Sequence, residues 1–407
     1  MGKILAAAEQ IRSAQDSELF AKLLEDASVK AVNAGLERQQ EQGPLGTRRR
    51  LLATAVRLSR AMAPNLYRMA DHCGERLGLD IPLELYVFSS PQFNAACVKP
   101  EEGRLFVMFS SSILEGFSEA ELQFVMGHEL GHYIYGHHDI PIGHILRGGA
   151  SQVSPRLALT LSSWSRYAEV SADRAGALCS DSLDTVARAL FKLASGLTES
   201  VVTFDLAEFL KQVDEMQIES DDAGAGAPPE DWFATHPFSP IRVKALQLYY
   251  ESELACPGGV RTPDLEVAVQ GLMSLMEPSY IEGRTKASES MRRLLFTAAV
   301  VLMDVNGEIS KPEIASFEQF FGANALSDRL DIEKTKATLD DRVAQANEQA
   351  TLAQRMQVLR DLCCISRADG PVADSECKVL RSLAADLGIG EYFVRRTLEE
   401  LNNVELD

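Results

Sequence analysis

The stretch "GHELGHYIYGHH" at residues 127–138 holds four of the chain's seven histidines. His128 and His132 are four residues apart, so on an α-helix they stand a turn apart on one face and can share a metal ion. Glu129 sits beside that face, where it can hold and deprotonate a metal-activated water. This is H-E-x-x-H, whose chemistry is hydrolysis, with zinc activating water and the glutamate acting as general base. A catalytic zinc needs a third protein ligand, and two candidates compete. His138 has the spacing of H-E-x-x-H-x-x-G-x-x-H, but that pattern requires a glycine where Tyr135 stands, to turn the chain with positive φ, and Gly136 comes one place late. Glu169, in "RYAEVSADRAGA" (166–177), would give a His-His-Glu set with the carboxylate on a separate helix. Asp173 lies four residues further on the same face, placed to accept a hydrogen bond from the other ring nitrogen of a ligand histidine, His128 first. Without a metal, Glu169 and Asp173 read as a solvated helix face.

These residues need a helix and a scaffold. Ser118 and Glu121 in "FSEAEL" form a capping box that starts the histidine helix. Ahead of it, "LELYVFSS" (83–90) and "RLFVMFS" (104–110) read as strands of a small sheet, with "PEEG" as the turn into the second. Residues 4–41 and 48–78 carry helical spacing, broken by "QGPLG" at 42–46. Helical patterns resume at about 155 and run through 217. The acidic, Gly/Ala/Pro-rich "ESDDAGAGAPPED" (219–231) cannot build a core and reads as an exposed loop. A helix at 240–254, a break at "ACPGGVRTPD" (255–264) and a connecting segment then lead to an all-helical block from about 287 to 404.

That block contains a repeat: "NGEISKPE" (306–313) and "DGPVADSE" (369–376) both fit [N/D]-G-x-[I/V]-x-x-x-E between apolar helices. Gly307 and Gly370 would make tight turns, Ile309 and Val372 would plug the core, and Ser310 with Glu313 would form another capping box. A calcium loop is excluded, because Ile309 and Ala315 stand where glycine and glutamate are required.

Composition bounds the function. A chain of 407 residues accommodates two or three domains. A formal net charge of −19 argues against nucleic-acid and anionic-membrane binding, and Arg48–Arg50 is too short a basic run to reverse that. The apolar run "LLFTAAVVLM" (294–303) is about half the ~20 residues a membrane span needs. Seven scattered cysteines without a C-x-x-C pair, and no signal-peptide apolar region, point to a cytoplasmic protein.

Taken in order, "HELGH", "EVSAD" and "THPFSPIRV" (235–243) resemble the motifs of the HtpX and CAAX prenyl protease family of zinc metallopeptidases, over roughly residues 50–250. The resemblance implies one zinc per chain held by His128, His132 and Glu169, with Glu129 as base. His236 and Arg242 match the family's H-P-x-x-x-x-R and would stabilise the oxyanion of the tetrahedral intermediate. His236 has two other readings, as a loop anchor before Pro237 and as a resting-state zinc ligand. "FNAACV" (93–98) resembles the family's substrate-pairing edge strand, so Asn94 and Ala95 would bind extended peptide; Ala96 replaces the usual phenylalanine. The C-terminal block is similar to TerB-like domains of tellurite resistance and suggests a regulatory or recruiting module with a protein partner.

The resulting expectation is an α+β, predominantly helical protein. It comprises an N-terminal helical extension (1–45), a gluzincin-type metallopeptidase domain with a small sheet beside the zinc helix (46–256), a linker (257–286) and an all-α TerB-like domain (287–407). Its expected activity is cleavage of polypeptide substrates, gated by the 219–231 loop and His236. The competing readings are a closed zinc-containing binding or chaperone-like protein and an iron oxygenase with a 2-His-1-carboxylate site, which leaves Glu129 without a role.

Overall fold

The computed structural model describes residues 8–41, 46–147, 155–180, 182–198, 201–220, 234–276, 280, 286–305, 307, 309–321, 331–368 and 370–403. The chain divides into two compact units, Met1–Gln212 with Phe233–Gly259 and Val213–Trp232 with Val260–Asp407. Both are predominantly helical, and the first carries one small sheet. The segment 221–233, most of the loop expected to act as a gate, lies outside the described residues.

In the first unit, α1 (Ala14–Glu25) and α2 (Ala27–Glu41) are separated at Asp26, whose carboxylate accepts from the Ser28 and Val29 amides and so stops one helix and starts the next. The helix expected over 48–78 is in fact α3 (Thr47–Thr54), a strand β1 (Val56–Leu58) and α4 (Pro64–Leu77). β1 is too short to carry a readable period of two, and it exists because it pairs antiparallel with β2 (Leu83–Phe88). β2 runs parallel to β4 (Arg104–Ser110), which pairs antiparallel with β3 (Ala95–Glu101), giving the order β1-β2-β4-β3. The β3–β4 hairpin turns through Glu102 and Gly103, both at positive φ, and Pro100 falls in the register shift between Val98 and Glu101, where it breaks no ladder bond. β3 is therefore an edge strand.

After the short α5 (Ser111–Gly116) comes α6 (Glu119–Ile134), the histidine helix. Both bonds of the Ser118–Glu121 capping box form, and Glu121 also pairs with Lys192 at 2.8 Å. α6 ends where Gly136 takes φ 70°, and Tyr135 stays at φ −83°. Along the chain follow the short α7 (Ile142–Arg147), α8 (Pro155–Cys179), α9 (Leu183–Ser195) and α10 (Leu206–Ser220); α6 is the central helix of the unit and packs against α4, β3, α8 and α9. Leu122, Phe124, Val125, Met126 and Leu130 are all buried, as a helix wrapped by partners requires.

Contact with α8 is closest where Gly127 and Gly131 face Ala172, Ala175 and Gly176. A Cβ added at Gly131 would lie 2.8 Å from Ala175 Cβ, and one added at Gly127 would lie 3.0 Å from Gly176 Cα. The two glycines of "GHELGH" therefore form the groove for α8, while the histidine after each projects to the side where α8 delivers Glu169.

The second unit contains α12 (Thr262–Met273), α13 (Lys286–Asp304), α14 (Lys311–Phe321), α15 (Ile332–Lys336), α16 (Leu339–Gln349), α17 (Leu352–Arg367), α18 (Asp374–Asp386) and α19 (Glu391–Asn403). Its repeat has a common physical basis. Glu313 accepts from the Ser310 amide at 2.7 Å and Glu376 from the Ala373 amide at 2.8 Å, so each glutamate caps the helix that follows its joint. Gly307 and Gly370 take φ 80° and 130°, and Ile309 and Val372 pack against the core. Among the described residues, no helix is long and apolar enough to cross a membrane.

Candidate metal centre

α6 and α8 bring three ligand atoms together. His128 Nε2 and His132 Nε2 are 3.2 Å apart, and the Glu169 carboxylate lies 3.6 Å from the first and 3.4 Å from the second. The Glu169 side chain is 6% exposed. Burial would raise its pKa, yet His132, Arg242 and His128 hold it well below the ordinary value. Burial also disfavours a charged His132, and Glu169 overcomes this and raises the ring's pKa.

Asp173, buried on the same face of α8, accepts from His128 Nδ1 at 2.9 Å. Arg242, at the start of α11 (Ser239–Tyr250), donates to Asp173 from Nε at 2.8 Å and from Nη2 at 2.6 Å, and Nη2 also lies 3.4 Å from Glu169. Burial works against both charges of this bidentate pair. The pairing prevails, lowering the Asp173 pKa and raising that of Arg242. The guanidinium of Arg242, expected at the oxyanion, lies against the Asp173 and Glu169 carboxylates. His236 differs: its side chain is 67% exposed, with Nε2 3.6 Å from Glu169 Oε1.

Glu129 Oε2 accepts from the Cys97 amide at 2.8 Å, which ties the carboxylate to the edge strand. His138 Nε2 donates to the Cys97 carbonyl at 2.9 Å, so the histidine set aside as a ligand is used to hold β3. Cys97 thus points both backbone groups off the sheet, and by the strand's period of two Ala95 does the same. Asn94 is turned inward, its carbonyl accepting from the Ser110 amide at 2.8 Å and its own amide donating to Ser110 Oγ.

Two further residues belong to the site without a motif to announce them. In the structure His137 is buried, its Nδ1 is 2.8 Å from His132 Nδ1, and its Nε2 is 3.1 Å from Asp16 Oδ2. Burial lowers the His137 pKa to about 4, so the ring is neutral near pH 7. Asp16 comes from α1 and had no signal beyond being a polar residue on an amphipathic helix.

Residues 61–249 match the family model of peptidase family M48, and residues 293–397 that of tellurite resistance protein TerB. The chain is similar to the plastoglobule-localized metallopeptidase 48, chloroplastic, of Arabidopsis thaliana, with 29% identity over 217 residues, covering 49% of this chain and 61% of that protein. It is also similar to protease HtpX homologs of Burkholderia mallei and Burkholderia pseudomallei, with 28% identity over 227 residues, 47% of this chain and 76% of theirs. The match thus spans less than two thirds of the Arabidopsis protein's length. No solved structure matches.

Proposed function

We propose that the chain is a zinc-dependent endopeptidase acting on polypeptides, a reading supported by the match of residues 61–249 to peptidase family M48, with the TerB match at residues 293–397 lying C-terminal to it. The observation that carries the proposal is the convergence of His128, His132 and Glu169. Zinc bonds of about 2.0–2.2 Å to tetrahedral ligands leave ligand atoms roughly 3.3–3.6 Å apart, and two imidazoles with a carboxylate are a zinc donor set. The separations of 3.2, 3.4 and 3.6 Å fit that requirement. When bound, zinc would polarise the scissile carbonyl and lower the pKa of water toward ~7.

This chain's own residues do the rest. Glu129, oriented by the Cys97 amide, takes the proton of the attacking water and passes it to the leaving amine. Asp173 holds His128 as the Nδ1–H tautomer, leaving Nε2 free to ligate, and Arg242 keeps Asp173 charged and in place. His236, exposed at the site's rim, meets the developing oxyanion. An extended substrate pairs with β3 from Ala95, where the backbone faces outward, while Asn94 fixes the strand's start against β4. The scattered cysteines support a reducing, cytoplasmic compartment for this activity, and the C-terminal unit would recruit or regulate.

Glu129→Gln keeps the ligands and removes the base. The variant should bind one equivalent of zinc by metal analysis and lose cleavage of an unfolded casein substrate. Residual cleavage at the wild-type rate would overturn the mechanism, and stoichiometric iron in place of zinc would overturn the metal.

A further inference from the structure

The two ligand histidines are supported differently. His128 rests on the Asp173 carboxylate, within the segment that matches the peptidase family. His132 rests on another imidazole. His137 Nδ1 lies 2.8 Å from His132 Nδ1, and behind it His137 Nε2 lies 3.1 Å from Asp16 Oδ2, 121 residues away in the chain. Asp16 is outside the matched segment, which begins at residue 61.

With a metal on His132 Nε2, that ring's proton is on Nδ1, and the hydrogen bonds behind it allow one arrangement of protons. Asp16 accepts from Arg12 Nε at 2.9 Å, Trp164 Nε1 at 3.0 Å and Ser171 Oγ at 2.8 Å, so it is an ionised acceptor and the proton toward it sits on His137 Nε2. His137 Nδ1 is then the lone-pair nitrogen and can only accept, so the proton between the two rings belongs to His132 Nδ1. That leaves His132 Nε2 bare, facing Glu169 and His128. From this order we infer that Asp16 and His137 form a positioning pair for His132: the N-terminal helix supplies the charge that sets the tautomer of a metal ligand on α6.

The rest of the N-terminal segment is built to deliver that charge. Tyr135 donates to the Ala8 carbonyl at 2.8 Å, the Ser13 amide donates to Ser171 Oγ at 3.1 Å, and Arg174 donates to the Ile11 carbonyl at 3.3 Å. Asp16 is fully excluded from solvent. A segment needed only to cover apolar surface has no use for a buried carboxylate with four donors aimed at it.

This inference rests on the zinc reading of the site, and the test separates the two. Zinc affinity is measured by chelator competition on the full chain for wild type, His137→Asn and His137→Leu. Asn can place an acceptor oxygen near the position of Nδ1; Leu fills the space and cannot accept. Loss of a partner behind a ligand histidine typically costs 10–100-fold in metal affinity. His137→Leu should fall by about that factor, and His137→Asn should recover most of it. Equal affinities for Leu and wild type, or equal losses for Leu and Asn, would overturn the positioning role. No zinc binding by the wild type would overturn the functional reading itself, and the inference with it.

A second measurement depends on no variant folding. Long-range proton–nitrogen correlation spectra of zinc-loaded, histidine-labelled wild type should show His132 as the Nδ1–H tautomer and His137 as the Nε2–H tautomer. The reverse tautomer at His137 would overturn the pair.

Discussion

Asp16 illustrates how one buried group can stabilise a fold and leave a titration signature. Burial alone would raise its pKa, but His137 and Arg12 outweigh burial and hold it at about 2, against an ordinary 3.8. The folded value is the lower one, so the stabilisation is fully present above pH ~4 and is lost as pH falls through about 2. Urea unfolding of wild type and Asp16→Asn should therefore show a wild-type advantage that shrinks by on the order of 2 kcal/mol between pH 5 and pH 2. An advantage unchanged across that range would mean the carboxylate is not the paired, charged group described. Arg242 makes a related case. Its two bonds to Asp173 were invisible in the motif H-P-x-x-x-x-R, which suggests a cation without saying what it faces. Arg242→Gln leaves Asp173 buried with less compensation, and should lower zinc affinity together with activity. A loss of kcat with zinc affinity intact would instead favour an oxyanion role for Arg242.

At the level of elements, the α6–α8 contact sets the geometry of the centre. Gly131 has room for no side chain: an added Cβ would sit 2.8 Å from Ala175 Cβ and 3.2 Å from Ala172 Cα. Gly131→Ala should push the helices apart at the turn carrying His132, at a cost of about 1–3 kcal/mol in urea unfolding. It should also weaken zinc binding, because Glu169 on α8 no longer meets His132 on α6. Unchanged zinc affinity with lowered stability would show that the ligands do not depend on this contact. The start of α6 was legible, since a capping box is a local arrangement of four residues whose bonds form wherever the helix does. The helix drawn over 48–78 was not legible. β1 carries no periodic signal of its own, and its pairing with Val87, Tyr86 and Leu85 is made by residues about thirty positions away.

Across the whole molecule, the candidate metal ligands and their supports all lie in the first compact unit, and the N-terminal helices are part of that unit. Zinc at a thousandfold excess over its Kd should stabilise that unit by about 4 kcal/mol. Chelation should then speed amide hydrogen exchange in α6 and α8 while leaving α13 and α17 of the second unit unchanged. A uniform acceleration in both units would place the metal's stabilising effect elsewhere. The second unit's repeat was readable because it is local: a glycine at positive φ, an apolar plug and a glutamate capping the next helix recur at fixed spacing.

By itself the sequence determined His128, Glu129 and His132 as one constellation, because an α-helix converts a spacing of four into a shared face. It also singled out Glu169 and Asp173, which obey the same rule on a second helix. Only the tertiary structure decided which polar groups meet across elements. Packing placed Arg242 behind Asp173 and gave the two outward backbone groups of Cys97 partners from within α6 and from the turn that follows it. The same packing set His137 between His132 and a carboxylate from the N-terminal helix. Periodicity fixes the face a helix presents; the partner of a buried charge depends on which faces are packed together, and that is a property of the whole fold.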